Sequence, residues 1–93
     1  MGSNVTKAKP LTDIQKETLL YLIGFVKEFY YQPSYDEMCE HFGIKSKHAM
    51  YERLKAIEKK GWIEIPYGGK RAIVITCDAI DLYEMEMRSD ANN

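Results

Sequence analysis

Ser34-Tyr35-Asp36-Glu37-Met38-Cys39-Glu40-His41-Phe42-Gly43-Ile44-Lys45-Ser46 is the stretch on which the fold turns. Ser34 followed three residues on by Glu37 is a capping box, in which the hydroxyl accepts from the Glu37 amide and the carboxylate reaches back to the serine amide. Met38, Cys39 and Phe42 give the apolar side of a short helix ending near residue 42. Gly43 stops it, because glycine takes a positive φ without a Cβ clash. Ile44 can plug the corner, and Ser46 caps the next helix at once. The segment therefore predicts two short helices joined by a tight, glycine-containing turn.

Downstream, Met50, Leu54 and Ile57 form a buried stripe at i, i+4 and i+7, and the helix is expected to reach Lys60 and close on Gly61 as a left-handed cap. Lys47, His48, Tyr51, Glu52 and Lys55 are left on the solvent side. Two β-prone runs follow, at 62–65 and 72–76, separated by Pro66-Tyr67-Gly68-Gly69-Lys70-Arg71. That pattern reads as a hairpin with a Gly-Gly turn and two cations at its tip. Upstream, Thr12 with Gln15 is another capping box, and Leu19, Leu22, Ile23, Val26, Phe29 and Tyr30 repeat with helical period. This first helix should span about 13–30 and end before Gln32-Pro33, since proline pushes its predecessor out of the helical region.

The expected fold is α+β, a winged helix-turn-helix over residues 11–76 with three helices and a two-stranded wing. Residues 1–10 carry no apolar periodicity and read as a disordered arm or a remnant of cloning. Residues 77–93 form an acidic segment in which a short helix over 78–88 would set Ile80, Tyr83 and Met87 on one side. That helix is a candidate dimer contact, with Leu82 and Met85 alongside.

Ninety-three residues, 45% hydrophobic and 29% charged, suit one globular domain without metals or disulfides. Neither a signal-peptide core nor a run of ~18 apolar residues is present, which predicts a cytoplasmic protein that does not cross a membrane. Cys39 and Cys77 are expected to be reduced thiols. With His41 and His48 they lack metal-ligand spacing, so no metal or other cofactor is expected. No nucleophile, phosphate loop or carboxylate pair suggests an enzyme.

The net charge of −1 conceals a strong segregation. Residues 43–71 hold eight cations against three carboxylates, whereas residues 72–93 hold Arg88 against Asp78, Asp81, Glu84, Glu86 and Asp90. A basic second helix of a helix-turn-helix fits a DNA major groove, its amino end aims N–H groups at phosphate, and a basic wing tip reaches the flanking backbone. The candidate DNA-binding residues are Ser46, Lys47, His48, Ala49, Tyr51, Glu52 and Lys55 on the helix and Lys70 and Arg71 on the wing.

The order of elements and several runs resemble the N-terminal DNA-binding domain of the LexA repressor family across roughly residues 11–75. The likeness rests on Leu11-Thr12 with Gln15, on Pro33-Ser34, on Phe42-Gly43-Ile44-Lys45-Ser46, and most specifically on Leu54-Lys55-Ala56-Ile57-Glu58-Lys59-Lys60-Gly61-Trp62-Ile63-Glu64-Ile65. The resemblance implies operator binding, with Ser46, His48, Ala49, Tyr51 and Glu52 where that family contacts bases. Lys47, His48 and Tyr51 depart from the family's usual residues, so its operator sequence is not carried over. Nothing here corresponds to the family's self-cleaving protease and dimerisation domain. The chain is expected to be an excised domain or a stand-alone relative, and the acidic segment after Thr76 favours the latter.

A single small module buries only about 600–1,000 Å² on DNA, so a homodimer on half-sites about 34–36 Å apart is expected. A chain this short would suit a phage or mobile-element regulator. Against these readings stands a blander one, a winged-helix protein adaptor whose lysine-rich face is merely solvated. Trp62 is expected to pack in the core.

Overall fold

Thr12 starts helix α1 (Asp13–Phe29) as the sequence requires, with its hydroxyl accepting from the Gln15 amide and the Gln15 side chain accepting from the Thr12 amide, both at 3.1 Å. The computed structural model describes residues 8–66 and 73–91, the last three by backbone alone. α1 ends earlier than the proline demands. Tyr30 adopts a left-handed conformation at φ 66° and caps the helix through its N–H to the Val26 carbonyl.

α2 (Tyr35–Phe42) carries the second capping box on Ser34 and ends on Gly43 at φ 69°, as expected. α3 (Lys47–Lys59) follows, and Gly61 at φ 94° closes it. The Gly61 N–H bonds to the Glu58 carbonyl and the Trp62 N–H to the Ile57 carbonyl, the paired bonds of a Schellman motif. The chain turns straight into a two-stranded antiparallel sheet, β1 (Ile63–Glu64) and β2 (Val74–Ile75), with Ile63 opposite Ile75 and Glu64 opposite Val74. The expected Gly68-Gly69 turn and the wing-tip cations Lys70 and Arg71 lie outside the described residues.

The core sits where α1, α2 and α3 meet the root of the hairpin. Leu19, Leu22 and Ile23 of α1, Met38 of α2, Met50, Leu54 and Ile57 of α3, and Ile63 of β1 are all buried. Each such side chain contributes about 1.5–3 kcal/mol by leaving water. Phe29 and Tyr30, expected in the same stripe, are exposed instead: Tyr30 stands in the left-handed cap that ends α1, and Phe29 is the last helical residue before it. Phe29 joins an aromatic chain on the next face of α1, in contact with Phe25 and Tyr31. At its other end Tyr21 stacks on His41 of α2 at 4.0 Å.

Residues 8–10, expected to belong to a disordered arm, are placed against the domain. From Ala8 the chain is packed: the Lys9 N–H donates to the Lys60 carbonyl, and the Lys9 carbonyl accepts from the Trp62 indole at 2.6 Å. Trp62 is accordingly half-buried against the core, with its polar end satisfied.

The C-terminal segment forms α4 (Cys77–Ala91), longer than the expected 78–88. Its start is fixed by Thr76, whose hydroxyl donates to the Trp62 carbonyl at 2.9 Å and accepts from the Ala79 amide at 3.2 Å. One side chain thus ties the hairpin to the helix. α4 packs on α1 through Ala79, Leu82 and Tyr83, and Lys16–Glu86 (2.9 Å) and Lys27–Glu84 (3.5 Å) bridge the two helices. The expectation that Ile80, Tyr83 and Met87 share one free side is corrected: Tyr83 lies against α1, while Ile80, Met85 and Met87 remain exposed. No helix among the described residues is long and apolar enough to cross a membrane.

Candidate nucleic-acid interface

α3 is gripped from one side and bare on the other. Met50, Leu54 and Ile57 are at 0% exposure, while Ser46, Lys47, His48, Ala49 and Glu52 face solvent. The Ser46 hydroxyl accepts from the Ala49 amide at 3.2 Å, and no acidic residue occupies the first turn. The remaining amino-end N–H groups therefore present a positive pole that no acid of α3's own first turn offsets. This is a surface able to receive an anion.

Two ion pairs decorate that surface. Lys47 approaches Asp36 of α2 at 3.5 Å, and His48 Nε2 approaches Glu52 at 3.4 Å, a charged pair only when the imidazole is protonated. All four side chains are well exposed. Such pairs are worth at most about 1 kcal/mol, so a phosphate or base edge can displace either.

Tyr51 and Lys55, expected on the same face, are differently placed. Tyr51 is half-buried with its ring edge-on to Tyr35 at 6.5 Å, and Lys55 Nζ lies 6.0 Å from the Tyr51 centroid. Lys55 donates to the Glu58 carboxylate at 2.8 Å, and this bond raises its pKa above the ordinary lysine value. The Glu58 pKa is lowered, chiefly by Lys55 and next by the Ile65 N–H, which donates to its other oxygen at 2.8 Å. Burial and the neighbouring Tyr51 raise the Tyr35 pKa.

The cations of the basic region thus divide into two sets. Arg53 faces inward, with Nη1 donating to the buried Thr18 hydroxyl at 3.2 Å and the guanidinium 5.3 Å from the Phe42 centroid. Lys60 donates to Gln15 at 2.6 Å. Lys45 and Lys59 are exposed, like Lys47. On the wing, β1 and β2 lead towards Lys70 and Arg71. The second limb is held at its root by Gln32, whose amide donates to the Ile73 carbonyl at 2.6 Å. Sequence reasoning missed Arg53, Gln32 and Glu58 as organisers of this region. Only Glu58 and Arg53, on the flanks of the buried stripe of α3, left a trace in the periodicity.

Among the described residues, no group of three or more His, Cys, Asp or Glu side chains is arranged to hold a metal ion.

Comparison with known proteins agrees with this geometry. The chain is similar to the LexA repressor of Leptospira interrogans, 42% identical over 65 residues that cover 70% of this chain and 32% of the relative. It is similar to the LexA repressor of Caldicellulosiruptor saccharolyticus, 39% identical over 70 residues covering 75% and 35%. The Colwellia psychrerythraea LexA repressor is 34% identical over 73 residues covering 78% and 35%. The chain thus matches about a third of the length of these relatives. The LexA DNA binding domain family matches residues 8–72, from the packed arm through the three helices and into the wing, leaving α4 beyond the matched region. The chain belongs to the LexA DNA binding domain family.

Proposed function

We propose that this chain is a sequence-specific double-stranded DNA-binding module of a transcriptional repressor, acting inside the cell, with α3 in the major groove and the wing on the flanking backbone. The observation that carries the reading is the division of α3 into a fully buried inner stripe and an exposed amino end whose first turn holds no acid, within a LexA DNA binding domain. Ser46, Lys47 and the first-turn amides contact phosphate or guanine acceptors, and Ala49 packs on a thymine methyl. Glu52 accepts from a cytosine amino group, and His48 bonds a base edge beside it. Tyr51 borders this contact, Lys55 serves it from behind through Glu58, and Lys70 and Arg71 provide the wing contacts. No catalytic step and no cofactor enter this function.

A homodimer supplies the second half-site contact, at about 34–36 Å. The exposed Ile80 and Met87 lie seven residues apart on one flank of α4, two apolar side chains two turns apart beside the face packed on α1.

The test is fluorescence anisotropy with duplex DNA at two salt concentrations, comparing the parent with a Lys47→Ala, Tyr51→Ala, Lys70→Ala, Arg71→Ala variant. Salt-sensitive binding that the variant loses is the expected result. A parent that binds no duplex at low salt overturns it. The aromatic surface of α1, where Phe29 and Tyr31 are exposed, would then favour the protein-adaptor reading.

A further inference from the structure

Among the described residues the hairpin has two residue pairs in its ladder, too few by themselves to fix the direction in which a wing leaves the domain. Its two limbs are instead held by side chains from outside the sheet. On the outgoing limb, Ile65 follows the last β1 residue and precedes Pro66, which has no N–H to give. The Ile65 N–H turns to Glu58 Oε2 at 2.8 Å, while Glu58 Oε1 receives Lys55 Nζ at 2.8 Å. On the returning limb, the Ile73 carbonyl precedes β2 and accepts from Gln32 Nε2 at 2.6 Å. Gln32 belongs to the α1–α2 connection and Glu58 to the recognition helix. The two bonds pin opposite strands of the wing to two different parts of the scaffold.

We infer that Glu58 and Gln32 are wing-positioning residues: a two-point clamp that sets the wing at a fixed orientation to α3, so that helix and wing engage one stretch of duplex together. The inference rests on the DNA-binding reading above. Glu58 repels phosphate by its charge, so its contribution comes only through Ile65 and Lys55, which its carboxylate holds in line. Lys55, cation of the same row as Lys47 and Tyr51, is thereby directed to the wing root rather than to the groove. Arranged this way, the pair converts two flexible contacts into one preorganised surface.

Two measurements test the clamp, both on the full chain. In the first, amide exchange is followed by NMR in Glu58→Ala, Glu58→Gln and Gln32→Ala, with thermal melts to verify folding. Loss of the acceptor in Glu58→Ala is expected to speed Ile65 exchange about tenfold or more. Glu58→Gln, whose side-chain carbonyl still accepts, is expected to restore most of the protection. Unchanged Ile65 protection in folded Glu58→Ala overturns the inference whatever the protein does with DNA.

In the second, the same substitutions are made in the parent and in a Lys70→Ala, Arg71→Ala background, with a mixed-sequence duplex at low salt. Glu58→Ala and Gln32→Ala are each expected to weaken parental binding about fivefold, the equivalent of one hydrogen bond, and to have little effect once the wing cations are gone. Equal losses in both backgrounds overturn the clamp. If removing Lys70 and Arg71 leaves parental affinity unchanged, it is the wing contact in the DNA reading that fails, and the exchange measurement still decides the clamp.

Discussion

Arg53 lies in the most basic part of the chain, yet its role is to hold the fold together. Replacing it with Met keeps the length and helix propensity of the side chain and removes only the guanidinium. That deletes the Nη1 bond to the fully buried Thr18 hydroxyl and the stacking of the cation against Phe42. Thr18 still donates to the Ile14 carbonyl at 2.8 Å, so no buried donor is orphaned and the loss is that of one charged hydrogen bond. About 1.5 kcal/mol for that bond and about 0.5 kcal/mol for the ring contact give about 2 kcal/mol. For a domain of this size each kcal/mol moves Tm by about 4–8 °C, so Arg53→Met is expected to melt about 8–16 °C lower. Circular dichroism melts measure this, and anisotropy at several salt concentrations measures the accompanying DNA slope, which is expected to match the parent. A variant with parental Tm and a salt slope reduced by about 0.9, the signature of one lost phosphate contact, would refute the assignment.

Lys47→Ala is expected to do the reverse, lowering the salt slope by about 0.9 and leaving Tm within about 2 °C, because its pair with Asp36 is exposed. Gly24→Ala is expected to stabilise the domain by about 1 kcal/mol in chemical denaturation, since Gly24 is helical and an added Cβ would meet Tyr83 Oη at 3.5 Å and Cε1 at 3.7 Å, ordinary contact distances. A loss of stability would mean that α4 is seated more tightly on α1 than this spacing implies. Glu58 titrates below its unfolded value, so its contribution to stability is complete above the ordinary carboxylate range and is lost as pH falls through its folded pKa. Glu58→Gln is accordingly expected to flatten the acid side of the stability–pH curve and to lower the neutral-to-alkaline plateau without changing its slope. In sedimentation, Ile80→Glu with Met87→Glu is expected to convert the proposed dimer to a folded monomer whose Tm no longer depends on concentration, whereas a parent that is monomeric at all concentrations rules out this flank as the contact.

What could be read in the sequence was whatever local chemistry decides. Both capping boxes, the glycine turn and the Met50-Leu54-Ile57 stripe were legible because each depends on residues within one or two helical turns. Periodicity misjudged Phe29 and Tyr30, since a repeat cannot reveal that the helix ends in a left-handed tyrosine before the stripe is used up. It misjudged α4 for a related reason: with exposed Ile80, Met85 and Met87 as apolar as the buried positions, only the packing of Ala79 against the core decides which face turns inward. The arm before Pro10 looked unstructured because its bonds, from Lys9 to Lys60 and Trp62, span more than fifty residues. Gln32 to Ile73 is the same kind of bond, between positions 41 apart.

The charge pattern was visible in the sequence, but its meaning was not. Eight cations against three carboxylates between residues 43 and 71 marked the region as basic, yet a cation can serve DNA only if the fold has left its charge uncommitted. Arg53 is committed to Thr18 and Phe42, Lys60 to Gln15 and Lys55 to Glu58, all with partners held close. Lys45 and Lys59 stay exposed, and Lys47 has only a loose partner in Asp36. Lys16 and Lys27, in turn, are drawn onto α4 by Glu86 and Glu84, so the acidic tail neutralises cations of α1 rather than those of α3. A protein with net charge −1 can therefore still present to a polyanion a helix end with no acid in its own first turn. Its affinity should follow the few uncommitted cations, so removing a committed one changes Tm and removing an uncommitted one changes the salt slope.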